Sequence, residues 1–210
     1  MSQEPDPVIG MRGALRVDRS PDARFYDQPR LVAHIDDGAI AAVTDHIRRL
    51  VPTGVPILDL MSSYHSHLPT DVSLGPVTGL GMNADELAAN AQLASYAVHD
   101  VNVDPRLPFP DEKFGAALCT VSVQYLTRPV AVFTDVRRVL ASGAPLLVFF
   151  SNRCFPHKAV HAWQERDAAG HAELIRDYFR TAGGWCEPES SADIPKRGDP
   201  LYAVWAHRIG

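Results

Sequence analysis

The sequence predicts an α/β domain built on a seven-stranded, mostly parallel sheet, with helices on both faces and an antiparallel hairpin along one edge. Three observations predict it. Short apolar runs alternate with stretches whose apolar residues recur every three to five positions, the pattern of strand–helix units that wind a parallel sheet. The runs at 114–123 and 145–150 are apolar on both faces, as central parallel strands are. The last two runs, at 185–189 and 201–207, leave room for about a dozen residues between them, too few for a crossover helix, so they pair antiparallel.

Each element follows in order. Residues 1–22 are rich in Pro, Asp and Arg without a sustained period and read as a flexible tail. From Phe25 a helical cap is expected over 23–52, carried by Leu31, Ile35, Ile40, Val43, Ile47 and Leu50 and stopped by Pro52 and Gly54. A strand follows at 55–60 and another at 77–80. Asn83 caps a helix running to about 95. A third strand spans 96–100, and 107–111 is a turn-rich loop. After the fourth strand comes a helix at 134–140, stopped by Ser142 and Gly143, and after the fifth a helical stretch from 157 to 181, stopped by Gly183 and Gly184.

Composition narrows the class. Of 210 residues, 46% are apolar and 21% charged, which suits one globular domain over 23–210. A net charge of -5 argues against a phosphate-binding surface, so no nucleic-acid partner is expected. No apolar run approaches the ~20 residues that span a bilayer, so no membrane partner is expected either. The start, MSQEPDPVIG, lacks the basic and apolar regions of a secretory signal. Cys119, Cys154 and Cys186 are odd in number and widely spaced, which points to reduced thiols and a cytoplasmic setting.

In a doubly wound sheet the ligand lies beyond the carboxyl ends of the strands, where strand order reverses. The informative residues are therefore those after each strand: Asp59 to Pro69, Gly79 to Asn83, His99 to Asn102, Thr120 to Tyr125, and Ser151 to Cys154. There the chain resembles a known family. Leu107-Pro-Phe-Pro-Asp-Glu-Lys-Phe114 and Arg137-Arg-Val-Leu-Ala-Ser-Gly143 are similar to the LPFPD-x-x-FD and xRVLKPGG segments of small-molecule class I S-adenosylmethionine-dependent methyltransferases, and Asp199-Pro-Leu-Tyr-Ala-Val-Trp205 resembles their last strand. The resemblance runs from Ile57 to the C-terminus and implies a Rossmann-like fold, S-adenosylmethionine as cofactor, and a small-molecule methyl acceptor bound by a monomer or homodimer.

It also implies a cofactor site. Contacts are expected from Asp59, Met61, Ser62 and Ser63, from Gly81, Met82 and Asn83, from Asp100, Val101 and Asn102, and from Thr120. Asp100 would accept from the adenine amino group, and Val101 would offer its N–H to the ring. The chain departs from the pattern at two places. Met61, Ser63 and His65 stand where D-x-G-x-G-x-G has glycines, which implies a wider loop, a shifted ligand or no cofactor at all. Gly81 stands where an acid ordinarily binds the ribose, and Asn83 is left to supply one weaker bond.

Methyl transfer asks the protein to align two partners and sometimes to remove a proton. His67 is the expected base; a histidine bonded to close the loop is the alternative. Tyr125 is the second catalytic candidate and, with Gln124, would touch the acceptor, unless Tyr125 simply packs under the N-terminal helix. Tyr26 and Arg30 belong to a segment that covers the cofactor in this family, and Arg30 would pair with the methionine carboxylate. Asn152 and Arg153 would hold the acceptor at the mouth. His65–His67 and His157–His161 are paired imidazoles, yet no Cys or acid completes a signature, and no metal is expected. Methyl transfer from S-adenosylmethionine to a small O, N or S nucleophile is the leading reading. The alternatives are the same fold turned to another reaction, or a non-catalytic partner protein; the absence of GxGxxG disfavours a nicotinamide enzyme.

Overall fold

A computed structural model describes residues 4–210. Its seven strands are β1 (Ile57–Leu60), β2 (Val77–Gly81), β3 (Ser95–Val98), β4 (Ala116–Thr120), β5 (Pro145–Phe150), β6 (Glu189–Asp193) and β7 (Leu201–His207). They form one sheet in the order β3-β2-β1-β4-β5-β7-β6. The first five are parallel, and β7 runs antiparallel between β5 and β6. The α/β class, the parallel sheet and the antiparallel edge pair are as the sequence predicts. Leu60 lies beside Leu80 of β2 and Cys119 of β4, so the strand tips on either side of the order reversal open onto one crevice.

The helices are α1 (Gly10–Gly13), α2 (Asp22–Phe25), α3 (Asp37–Leu50), α4 (Ala84–Ala89), α5 (Pro129–Val139), α6 (His161–Gln164) and α7 (Ala168–Ala182). On one face of the sheet α3 buries Val43 and Ile47 against Ile57, Leu118 and Phe149. On the other, α5 and α7 bury Phe133, Tyr178 and Phe179 against Leu146, Val148 and Phe150. Each such side chain contributes roughly 1.5–3 kcal/mol, so the two cores hold the strand tips in fixed register.

Several expectations are corrected. Of the predicted tail, residues 1–3 lie outside the described part, and 4–22 pack on the domain. Asp6 is buried, receives the N–H groups of Val8 and Ile9, and accepts from Val130 N at 2.9 Å. That contact starts α5 at Pro129 rather than at 134: proline suits the first helical position, and the next N–H is satisfied by an acid from the far end of the chain. The cap is helical only in α2 and α3, with Leu31 and Val32 exposed between them, because Asp36 is the N-cap that accepts from Ala39 N. Helix α4 ends at Ala89, since the Asn90 side chain turns away to bond Ser63 O and Ser66 Oγ. The long helix expected at 157–181 is two, divided by Asp167, which caps α7 through Gly170 N. Strand β6 lies later than 185–189. Gly183 and Gly184, with φ of 65° and 69°, bend the chain so that Trp185 packs on Phe179, and the strand that follows is an exposed edge with no apolar period to read.

The crossovers 61–76 and 99–115 carry no helix among the described residues. Side chains hold the first instead, and it is the loop that approaches the ligand crevice.

Candidate active site

The crevice is a solvent-open cavity of about 260 Å³ at the tips of β1, β2, β3 and β4, covered by residues 22–34 and by 153–155. Its floor is the loop after β1. Met61 has φ 57° and His67 has φ 54°, left-handed conformations that glycine adopts freely and other residues adopt at a cost. The loop therefore keeps the glycine-like turn at Met61 without the glycine. It is also not widened: a Cβ on Gly81 would stand 2.2 Å from the Ser62 carbonyl oxygen, so the loop rests directly on the end of β2.

Four polar anchors keep it there. Asp59 is buried, and its Oδ2 accepts from both Ser62 Oγ and Ser66 Oγ at 2.6 Å. Burial pushes the Asp59 carboxyl up to about 6, against the two serine bonds. Asn90 bonds Ser63 O and Ser66 Oγ, each at 2.9 Å. Gln92 pairs with the backbone of Leu68 through both ends of its amide. Glu86, in the first turn of α4 and 5% exposed, accepts from Ser63 Oγ at 2.6 Å and from Arg30 N at 2.7 Å.

Arg30 is stacked by three rings, its guanidinium carbon 4.5 Å from the Phe25 centroid, 5.3 Å from Phe155 and 5.7 Å from Tyr26. One nitrogen, Nη2, donates to Phe25 O, while Nη1 is buried with no partner among the described residues. Thr120 Oγ1, at the end of β4, is likewise buried and unpartnered. Both residues line the cavity. The next residue, Val121, has φ 45°, a strained conformation for a β-branched side chain and one that clusters at functional sites.

The cover is fastened by charge. Arg16 forks onto Asp22 at 2.9 and 2.8 Å. Lys158, fully buried, donates to Ser20 O and lies 3.2 Å from both Asp18 and Asp22. Burial alone would raise the Asp22 carboxyl, but bonds from Arg16, Asn102 and Lys158 hold it below the usual range.

Most predicted site residues meet here. Tyr26, Asp59, Met61, Ser62, Ser63 and His67 line the cavity, as do Gly81, Met82, Asn83, Asp100, Val101 and Asn102, together with Tyr125 and Arg153. Several have their polar groups spent, however. Asn83 Oδ1 caps α4, and its Nδ2 donates to Tyr26 O and Asp27 O, so the ribose bond expected of it has no free atom in the amide N–H pair. Asn102 donates to Asp22 and Tyr125 O and accepts from Thr127. Asp100 Oδ1 accepts from Asn102 N and Val103 N, which leaves Oδ2 open. Tyr125 Oη accepts from Phe155 N at 2.8 Å, and burial pushes its hydroxyl up to about 12. Burial, with His65 and His34 nearby, pushes the His67 imidazole down to about 4.

Gln124 and Asn152 do not line the cavity. Gln124 is turned into the protein, its Nε2 donating to Val121 O, and Asn152 is exposed with its Oδ1 accepting from Ser151 Oγ. Asp22 and Glu86, which sequence reasoning missed, do line it. One reads as part of a polar tail and the other as an ordinary first-turn helical acid, and nothing local marks either. Among the described residues no three His, Cys, Asp or Glu side chains gather to hold a metal, and no helix is long and apolar enough to cross a membrane.

This architecture is a doubly wound α/β sheet with an antiparallel final strand inserted beside β5 and a cavity at the order reversal. The family model described as a methyltransferase domain matches residues 53–148. No curated protein sequence matches. Among solved structures, the S-adenosylmethionine-dependent methyltransferase of Mesorhizobium loti is 15% identical, with a TM-score of 0.54 over 82% of this chain and 99% of that one. A Methanosarcina mazei methyltransferase of the same dependence is 14% identical, with a TM-score of 0.50 over 78% and 96%. The [4+2]-cyclase SpnF is 16% identical, with a TM-score of 0.61 over the whole of both chains. Residues 53–148 are thus similar to the methyltransferase-domain family, and the chain shares its fold with these solved structures.

Proposed function

We propose that the protein transfers a methyl group from S-adenosylmethionine to a small-molecule O, N or S nucleophile. One observation carries the reading: two buried, unpartnered polar atoms, Arg30 Nη1 and Thr120 Oγ1, belong to residues lining a cavity at the switch point of this fold. Buried polar atoms without partners are rare, and a guanidinium so placed suits a carboxylate. The residues present fit the cofactor. Arg30 would hold its methionine carboxylate, while Asp100 Oδ2 and the Val101 N–H would take the adenine edge.

When bound, S-adenosylmethionine would supply an electrophilic methyl that an in-line nucleophile takes as the carbon–sulfur bond breaks and the thioether of S-adenosylhomocysteine leaves. The chain's part is alignment and exclusion of water. Residues 22–34, fastened through Asp22 and Lys158, close over the site and favour an acceptor small enough to lie beneath them. His67 is neutral at physiological pH and can accept a hydrogen bond from an acceptor O–H or N–H. With its imidazole near 4 it is a weak base, so it positions the nucleophile more than it deprotonates it. Tyr125 keeps its own hydrogen to donate beside it. Arg153, tied to Asp199 at the mouth, would meet an acidic acceptor. The unpaired cysteines support a reducing, cytoplasmic setting.

Titration calorimetry with S-adenosylhomocysteine tests the reading. Micromolar binding that weakens at least tenfold in Arg30→Ala is expected; no detectable binding would overturn it. A different reaction on the same scaffold has one observation in its favour, the full-length likeness to the cyclase SpnF. Binding of S-adenosylhomocysteine without methyl transfer to any acceptor pool would favour that second reading.

A further inference from the structure

Resting on the cofactor reading above, one recognition remains without a residue: the two ribose hydroxyls have no acceptor at the end of β2. Gly81 stands there, and a side chain in its place would have to lift the floor loop, because a Cβ would meet the Ser62 carbonyl oxygen at 2.2 Å. Two O–H donors buried without acceptors would cost affinity. We infer that Glu86, reaching the cavity from the first turn of α4, is the acceptor that binds the ribose hydroxyls.

The acids on the cavity wall are Asp22, Asp59, Glu86 and Asp100. Asp22 has both oxygens engaged, by Arg16 on each, by Asn102 on Oδ2 and by Lys158 on Oδ1. Asp59 is buried under the loop, its Oδ2 taken by two serines. Asp100 follows the tip of β3, one strand further from the switch point, and in the cofactor reading its free oxygen is given to the adenine edge. Glu86 shares its stretch of wall with Gly81, Met82 and Asn83. A carboxylate has about four lone-pair positions. Glu86 uses one on each oxygen, for Arg30 N and Ser63 Oγ, so each oxygen retains one for a hydroxyl.

This arrangement moves the acid from the strand end to the helix and ties it to two other parts of the site. One oxygen holds the backbone of the covering segment at Arg30, and the other holds the floor loop at Ser63. Seating the ribose on Glu86 thus requires both to be in place, which couples cofactor recognition to closure of the cover.

The test is titration calorimetry on the full chain with S-adenosylhomocysteine and with its 2′,3′-dideoxy counterpart, which lacks the hydroxyls in question. The wild type should prefer the ribose compound by about tenfold to a hundredfold, as expected for hydrogen bonds to a charged acceptor. Glu86→Gln should remove most of that preference, whatever it does to the affinity for the dideoxy compound, since a neutral amide accepts at one atom only. A variant that weakens both compounds by the same factor would show a bridging role alone and overturn the inference, as would an unchanged preference. Glu86→Asp, which keeps the charge but withdraws it by one methylene, gives the same readout should Glu86→Gln not fold. A wild type that binds neither compound sinks the methyl-donor reading itself, whereas one that binds both equally sinks only the role of Glu86.

Discussion

Replacing Gly81 by alanine probes the contact that displaces the acid. The added Cβ would lie 2.2 Å from the Ser62 carbonyl oxygen and 3.1 Å from Leu87 Cδ2. Leu87 is a flexible side chain and can rotate away, but Ser62 is backbone, pinned by its own N–H bond to Leu80 O at 2.8 Å and by its hydroxyl on Asp59. Relief therefore means lifting the loop off the sheet. Overpacking of this kind costs about 1–3 kcal/mol, and a lost backbone bond adds about 1 kcal/mol. A total near 3 kcal/mol should lower the melting temperature by roughly 6–12 °C in a domain of this size. Urea unfolding followed by circular dichroism reads the change directly. Gly81→Asp should behave the same way, and although it restores an acid to the strand end it should not tighten S-adenosylhomocysteine. A Gly81→Asp protein as stable as wild type, within about 0.5 kcal/mol, would refute the close approach of loop and strand.

Three further outcomes follow from the buried charges. The Asp59 carboxyl, raised from 3.8 to about 6, favours the native state below the unfolded value, and that advantage is lost as pH rises through 6. Asp59→Asn should accordingly gain on the wild type by on the order of 3 kcal/mol between pH 4 and 7; parallel stability curves would count against it. The His67 imidazole is lowered from 6.5 to about 4, so the unfolded chain takes its proton first and native stability declines as pH falls from 6.5 toward 4. Nuclear magnetic resonance should find the ring neutral at pH 5.5, and a titration midpoint near 6.5 would disprove its desolvation. Asp22→Ala strips Arg16 and Lys158 of a shared buried partner and should cost about 3–5 kcal/mol. Lys158→Met should cost less, because Asp22 keeps Arg16; equal losses would show that the lysine, not the aspartate, is the hub.

The parallel sheet, its antiparallel edge pair and most of the strand-end residues on the cavity wall were legible because the strands are written in apolar periodicity. Runs such as 145–150 can be satisfied only by burial on both faces, and the chain ends of parallel strands must then converge. The caps at Asn83 and the stops at Gly183 and Gly184 were readable too, since a helix end has a local chemical cause. Elements held by distant partners were not. Helix α5 starts where Asp6 reaches Val130, and β6 is an exposed edge whose position follows from the bend at two left-handed glycines.

The amino-acid sequence by itself determined a parallel sheet with an antiparallel edge, the place where a ligand must lie, and the missing acid at Gly81. Tertiary structure alone decided how that gap is managed. Asp6, Asp22 and Glu86 acquire their roles from partners 124, 136 and 56 positions away along the chain, Val130, Lys158 and Arg30. Hydrogen bonds over such separations leave no period and no motif, because their geometry exists only once both cores have closed around the sheet.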